Sequence, residues 1–167
     1  PQAINAGTAM NILANVALMR SGSRGLTAEQ CQSMRSILDE ATLHLIEGQY
    51  LDISFEQRED VGIEDYLAMI KGKTAALIAC SMEIGSLAGS GDGAAARKLG
   101  EFGECLGIAF QVRDDILGIW GDPGRTGKRQ GNDIRRRKKS LPAVCALSGE
   151  DSQHRSTVAA IYRKETV

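Results

Sequence analysis

The 167 residues are 43% hydrophobic and 25% charged, a composition that excludes a disordered chain and suits one domain with a sizeable core. Twenty Lys and Arg against 21 Asp and Glu give a net charge of −1, so no global field draws nucleic acid to the surface. The balance hides an asymmetry, because Arg125 to Lys139 hold eight bases and one acid, Asp133, while the rest holds 12 bases against 20 acids. Opposed patches of this kind suit a site that grips an anion through both cations and metal-bearing carboxylates.

Strand signals are nearly absent, and helical periodicity predicts an all-α fold. Residues 1–19 carry no charged side chain. Gln2, Asn5, Thr8, Asn11 and Asn15 recur through them, too polar a set for a membrane span. They predict a buried first helix, rich in small residues, over about 3–20, ending at Ser21-Gly22-Ser23-Arg24-Gly25. Thr27 as N-cap and Gln30 as its capping-box partner start a second helix that reaches about Ser54. A third runs from Ile63 to about Ala88, where the breaker cluster Gly89 to Gly93 follows. A fourth covers Ala94 to Trp120. Gly100, Gly103 and Gly107 lie inside it, each costing ~1 kcal/mol relative to Ala unless close helix contact offsets it. A loop from Gly121 to Asn132 leads to a fifth helix over Asp133 to Leu147, bent or broken at Pro142. Asp151 or Ser152 caps a short last helix.

Cys31, Cys80, Cys105 and Cys145 form no C-x-x-C pair and read as buried free thiols of a reducing, cytoplasmic compartment. With only His44 and His154, far apart, a His-rich metal centre is excluded. The chain starts at Pro1 directly in an apolar helix and stops soon after a helical stretch, which suggests a piece of a longer protein.

The informative positions are polar side chains on apolar stripes, taken at about 100° per residue. In the second helix Met34, Leu38, Ala41 and Leu45 share a stripe that Gln49 and Asp52 continue. In the third, Lys73 lies in the middle of Tyr66, Ile70, Leu77, Ser81 and Ile84. A buried lysine or aspartate needs a partner or a wet cavity. A structural ion pair explains any one of the three as well as function does; together they favour a polar cavity. In the fourth helix Leu99, Phe102, Leu106, Phe110 and Leu117 form the expected core stripe. Gln111, Asp114, Asp115 and Gly118 form a sector beside it. Two adjacent aspartates repel, and a divalent cation relieves that. A bare Asp-Asp pair is, however, more often a solvated acidic face. Gly127 to Asp133, followed by Lys138 and Lys139, joins glycines that let amides approach an anion to mobile cations. Alone, that run is equally a solvated loop or a nucleic-acid patch, although no aromatic set interleaves it.

Taken in order, these residues resemble the trans-isoprenyl diphosphate synthases, the polyprenyl synthetase family. The matching stretches are Gly48-Gln49 with Asp52, Tyr66 to Ile70 with Lys73-Thr74, and Phe110-Gln111 with Asp114-Asp115. Gly127-Lys128-Arg129-Gln130-Gly131-Asn132-Asp133, Lys138 and Pro142 continue the series. The similarity runs from about Gln2 to Leu147.

The resemblance implies an antiparallel helical bundle around a deep cavity, incomplete here because residues 1–167 match the C-terminal portion of one such domain. It implies Mg²⁺, with Mn²⁺ as an alternative, and an allylic diphosphate condensed with isopentenyl diphosphate to a longer trans product. From charge, polarity and apolar helix faces the chain is expected to form a homo-oligomer, a dimer, with no nucleic-acid partner and no membrane span. Asp114 would hold the metal, with Asp115 a ligand or a partner behind it. Lys73 and Lys138 would contact the allylic diphosphate, and Lys128 would help close the site. Thr74 and Gln111 would lie beside the reacting carbons, and Phe110 would line the pocket near the isopentenyl group. Asp133 would anchor the loop or order metal-bound water, while Gln49 and Asp52 support from behind.

Two departures stand out. The family's second Asp-rich motif, Asp-Asp-x-x-Asp, here ends at Gly118, so its last carboxylate is absent. The first Asp-rich motif, with its following arginines and the basic residues for isopentenyl diphosphate, is missing. This piece is therefore expected to have little activity alone and to expose apolar helix faces. Rival readings are a class I terpene cyclase, a silent partner subunit of a prenyl synthase, and a basic nucleic-acid-binding module.

Overall fold

The computed structural model describes residues 2–127, 129–149 and 151–163, which are helical with no strand among them. Helix α1 covers Gln2–Ser21 and leads through a single 3₁₀ turn, Gly22–Arg24, to Gly25 in the left-handed region at φ 97°. Helix α2 covers Ala28–Ser54. It starts on the expected capping box, in which Thr27 Oγ1 accepts from the Gln30 N–H at 3.1 Å and Gln30 Oε1 accepts from the Thr27 N–H at 2.8 Å.

The predicted third helix is not uniform. Helix α3, Ile63–Ile70, passes into a π-helical turn over Lys71–Ala75 and continues as α4, Ala76–Ser90. The Ala76 N–H donates to the Lys71 carbonyl, the i+5 bond of a π turn. One extra residue shifts the helical register. The stripe read at a constant 100° therefore fails beyond Ile70: Leu77 and Ser81 are exposed, and Ala75, Cys80 and Leu87 are buried instead.

Helix α5, Gly93–Trp120, is capped by Asp92. Its buried face is built from Ala96, Gly100, Gly103 and Gly107. A Cβ on Gly103 would lie 2.8 Å from Ala79 Cα, and one on Gly107 2.5 Å from Ala75 Cα. The glycines thus mark backbone-close packing of α4 on α5. The expected core stripe is the exposed one, with Leu99, Phe102, Leu106, Phe110 and Leu117 all exposed. The first helix departs in the same sense: α1 buries no residue. Two of the four thiols, Cys105 and Cys145, are also exposed rather than buried.

The predicted fifth helix is two. Helix α6, Pro123–Thr126, is a single turn inside the expected loop, followed by α7, Asn132–Arg135, and α8, Leu141–Ser148. Pro142 sits in the first turn of α8, where its missing N–H costs nothing, so it marks a start and not a bend. Helix α9, Ser152–Tyr162, is capped by Asp151 as expected.

The chief core cluster joins Phe55, Val61, Tyr66, Met69, Ile70 and Val144, with Ile108, Val112 and Leu141 packed on it. It fixes α3, α5 and α8 against one another beneath the polar residues described next. No helix among the described residues is long and apolar enough to cross a membrane.

Candidate active site

Gln111, Asp114 and Asp115 lie within one turn of α5. Asp115 is wholly buried and accepts four hydrogen bonds. Its Oδ2 accepts from the Tyr66 hydroxyl at 2.7 Å and the Leu141 N–H at 3.0 Å. Its Oδ1 accepts from Lys138 Nζ at 2.8 Å and Gln111 Nε2 at 3.0 Å. Gln111 Oε1 in turn accepts from the Thr74 hydroxyl at 2.8 Å. Lys73, next to Thr74 in the π turn, pairs with Asp52 of α2. The elements around α5 thus send Tyr66, Thr74, Lys138 and a backbone amide to one polar knot.

Backbone geometry delivers Lys138. After α7 the Arg137 N–H donates to the Ile134 carbonyl at 2.9 Å, and the Lys138 N–H to the Asp133 carbonyl at 2.9 Å. These are the two bonds of a Schellman motif. Arg137 takes its left-handed position at φ 54°, the only non-glycine with positive φ among the described residues. The turn brings Lys138 to Asp115 and within 4.0 Å of Asp133 Oδ2. Asp133 is buried against α5 at Gly118, where a Cβ would lie 2.2 Å from its Oδ2. From outside, the Tyr162 hydroxyl of α9 donates to the Lys138 carbonyl at 3.1 Å.

The electrostatics follow from burial and pairing. Burial pushes the Asp115 carboxyl up, but hydrogen bonds from Lys138, Tyr66 and Leu141 outweigh it and hold the group below the usual carboxylate range. Burial lowers Lys138, yet the Asp115 hydrogen bond and charge, with Asp133 and Asp52 beyond, leave it raised. Tyr66 is driven far above its ordinary value, first by burial and then by Asp115. The knot therefore carries a firm carboxylate and a firm ammonium at neutral pH.

Of the predicted residues, Thr74, Gln111, Asp115 and Lys138 form one hydrogen-bonded chain with Asp133 beside Lys138, while Lys73 pairs with Asp52, whose charge reaches Lys138. Asp114 is half-buried, and its charge bears on Tyr66. Phe110 is 59% exposed, on the open apolar face of α5. Gln49 is exposed, away from the interior stripe on which it was placed. Lys128 lies outside the described residues. Tyr66 and the Leu141 amide were not read as functional. The signal for Tyr66 was its polar tip on a buried stripe, which demands a partner. A cavity of about 560 Å³ between α2 and α4, lined in part by Glu40, His44, Glu83 and Glu104, holds none of the predicted residues.

A divalent cation needs oxygen donors that are free to turn to it. The Asp115 oxygens are taken by four donors, so that carboxylate does not suit a ligand's place. Asp114, half-buried beside it, is a carboxylate of the kind a hard cation takes. Among the described residues no group of three or more His, Cys, Asp or Glu is placed to hold a metal.

The whole chain, residues 1–167, matches the family described as polyprenyl synthetase. It is 43% identical over 161 residues to a geranylgeranyl diphosphate synthase of Mycobacterium tuberculosis, covering 94% of this chain and 46% of that protein. A polyprenyl synthetase structure from Streptomyces coelicolor superposes with a TM-score of 0.86 at 42% identity, covering 96% of this chain and 46% of the other. A geranylgeranyl pyrophosphate synthase from Corynebacterium glutamicum, complexed with isoprenyl diphosphate and magnesium, gives a TM-score of 0.75 at 32% identity, over 87% and 42%. The chain spans about half the length of these relatives.

Proposed function

This chain belongs to the polyprenyl synthetase family, and we propose that the protein carrying it is a Mg²⁺-dependent prenyltransferase. It condenses an allylic diphosphate with isopentenyl diphosphate into a trans product one C5 unit longer. The observation that carries the reading is the chain of hydrogen bonds from Thr74 through Gln111 to Asp115 and Lys138, one residue from Asp114, with Lys73 beside Thr74.

Loss of diphosphate from an allylic carbon needs positive charge concentrated on the leaving oxygens. Lys73 and Lys138 come from separate elements and are each held by a carboxylate, Asp52 and Asp115. Both are thereby aimed before substrate arrives, and each has further donors for diphosphate oxygens. Mg²⁺, when bound, would add charge neutralisation for the departing diphosphate. Asp114 is the residue that would hold it. Asp115 serves behind the site: it orients Lys138 and Gln111 and does not bind metal. Thr74 and Gln111 present oxygen dipoles towards the developing carbocation. Phe110 offers apolar surface to the isopentenyl group. Asp133 anchors the segment before Lys138.

In the full-length protein, Lys138→Ala is expected to lower kcat/KM by about 10²-fold or more, as removal of one charge-stabilising donor does. Radiolabelled isopentenyl diphosphate incorporation measures it, and unchanged turnover overturns the reading. The 167-residue chain alone brings Asp114 but no opposing carboxylate set. With Mg²⁺ and both diphosphates it is expected to give little or no product, and turnover equal to the full-length enzyme refutes that.

A further inference from the structure

Lys73 and Thr74 are adjacent, and they reach different helices. Lys73 reaches α2 at Asp52, and Thr74 reaches α5 at Gln111. Nine residues of regular helix would turn Ala75 about 180° from Tyr66, yet both are buried against α5, Tyr66 at Asp115 and Ala75 at Gly107. The π turn over Lys71–Ala75 resolves the conflict by inserting one residue between the face that buries Tyr66 and the face that buries Ala75. A π turn is costly in itself and persists where something outside it holds it.

That something is α2. A Cβ on Gly48 would lie 2.2 Å from the Lys73 backbone nitrogen and 2.8 Å from both the Gly72 carbonyl carbon and Lys73 Cα. One on Gly72 would lie 2.6 Å from the His44 carbonyl oxygen. These are backbone atoms that no side-chain rotation clears. Gly48 is also one turn before Asp52, so the residue that permits the approach and the residue that receives Lys73 sit together on α2.

We propose that Gly48 is a positioning residue for the lysine and threonine of the site. Its bare backbone lets α2 press against the π turn at Lys73, and that contact holds Lys73 on Asp52 and Thr74 on Gln111. The inference rests on the prenyl-transfer reading for its kinetic consequence but not for its structural one. Substituting Gly48 forces α2 away from the turn, which relaxes toward regular helix and rotates Lys73 and Thr74 out of register.

The test uses the full-length enzyme with Gly48→Ala, with Gly72→Ala as a second route should the first fail to fold. Gly103→Ala is the comparison, since its Cβ would meet Ala79 Cα at 2.8 Å, a backbone clash on α4 beyond the π turn. Gly48→Ala is expected to raise KM for the allylic diphosphate at least about tenfold, in line with the loss of one charge-assisted contact. KM for isopentenyl diphosphate stays within about twofold. Gly103→Ala is expected to lower Tm with both KM values unchanged. Equal KM changes in the two variants, or none in Gly48→Ala, overturn the proposal. A crystal structure of Gly48→Ala decides the structural half without any assay. Loss of the Lys73–Asp52 and Thr74–Gln111 pairs supports the proposal, and an intact π turn with both pairs overturns it. Absence of prenyl transfer in the wild-type enzyme refutes the functional reading alone and leaves this structural test standing.

Discussion

Asp115 accepts two donors on each oxygen, and Asn offers one acceptor oxygen and one donating NH₂. Asp115→Asn therefore turns two of the four hydrogen bonds into donor–donor contacts and leaves the Lys138 ammonium only the more distant Asp133 as counter-charge. The expected cost is about 2–4 kcal/mol, below the full value for breaking a buried pair because Lys138 keeps some contact with water. A lower urea midpoint at an unchanged m-value reads it. The same residue sets the acid limb of stability. Its carboxyl is held below the usual range in the folded state, so its contribution is complete above about pH 4 and lost as pH falls through the depressed value. Lys138 is raised, so its contribution is complete below about pH 10.4 and lost as pH rises through the raised value. Thermal unfolding across the acid range is expected to show a shallower limb in Asp115→Asn than in the wild type. The sequence showed the acid pair but not which member faces inward. The donors to Asp115 come from as far as 49 residues away along the chain, a separation that no local spacing rule reaches.

Local chemistry made the helix starts legible, because capping is a short-range bond between near neighbours. Thr27 and Asp151 cap where they were expected to, and Asp92 caps α5 from within the cluster read only as a breaker. The misreadings share a different cause. The stripe through Lys73 assumed a constant period, and the π turn is held by α2, an element distant in sequence. On α5 the apolar side chains look like a core by hydrophobicity, whereas the side that packs is the one small enough for α4 to approach. The predicted fifth helix divides because the Schellman turn at Arg137 ends α7. A left-handed residue with a Cβ costs about 1 kcal/mol relative to glycine. Arg137→Gly is thus expected to stabilise the fold by up to about that amount, less whatever the arginine side chain contributes. A rise in Tm with Lys138 still on Asp115 checks it, and a fall shows that the side chain matters more than its backbone strain.

The molecule as a whole exposes 11010 Å², whereas a compact monomer of 17.9 kDa is expected to expose about 8000 Å². The difference, roughly 3000 Å², is the scale of an obligate interface. It is not spread evenly. Met10, Leu13 and Met19 on α1 are more than 60% exposed, and Leu43, Ile46 and Tyr50 on α2 and Phe102, Leu106 and Phe110 on α5 are exposed as well. A polar face does not carry such residues, and singly scattered apolar side chains do not gather on three helices. Composition announced a core of ordinary size, but it could not say how much apolar surface the chain's own helices would cover. The isolated chain is therefore expected to self-associate. Light scattering should return a mass well above 17.9 kDa, and Met10→Glu with Leu13→Glu should lower it by charging the α1 face without touching the core cluster around Tyr66. A monodisperse species at the monomer mass would mean that water tolerates these faces as they stand. The apolar stripe of α5, Phe110 included, would then have no need of cover, which removes the reason to read it as a surface for a hydrocarbon.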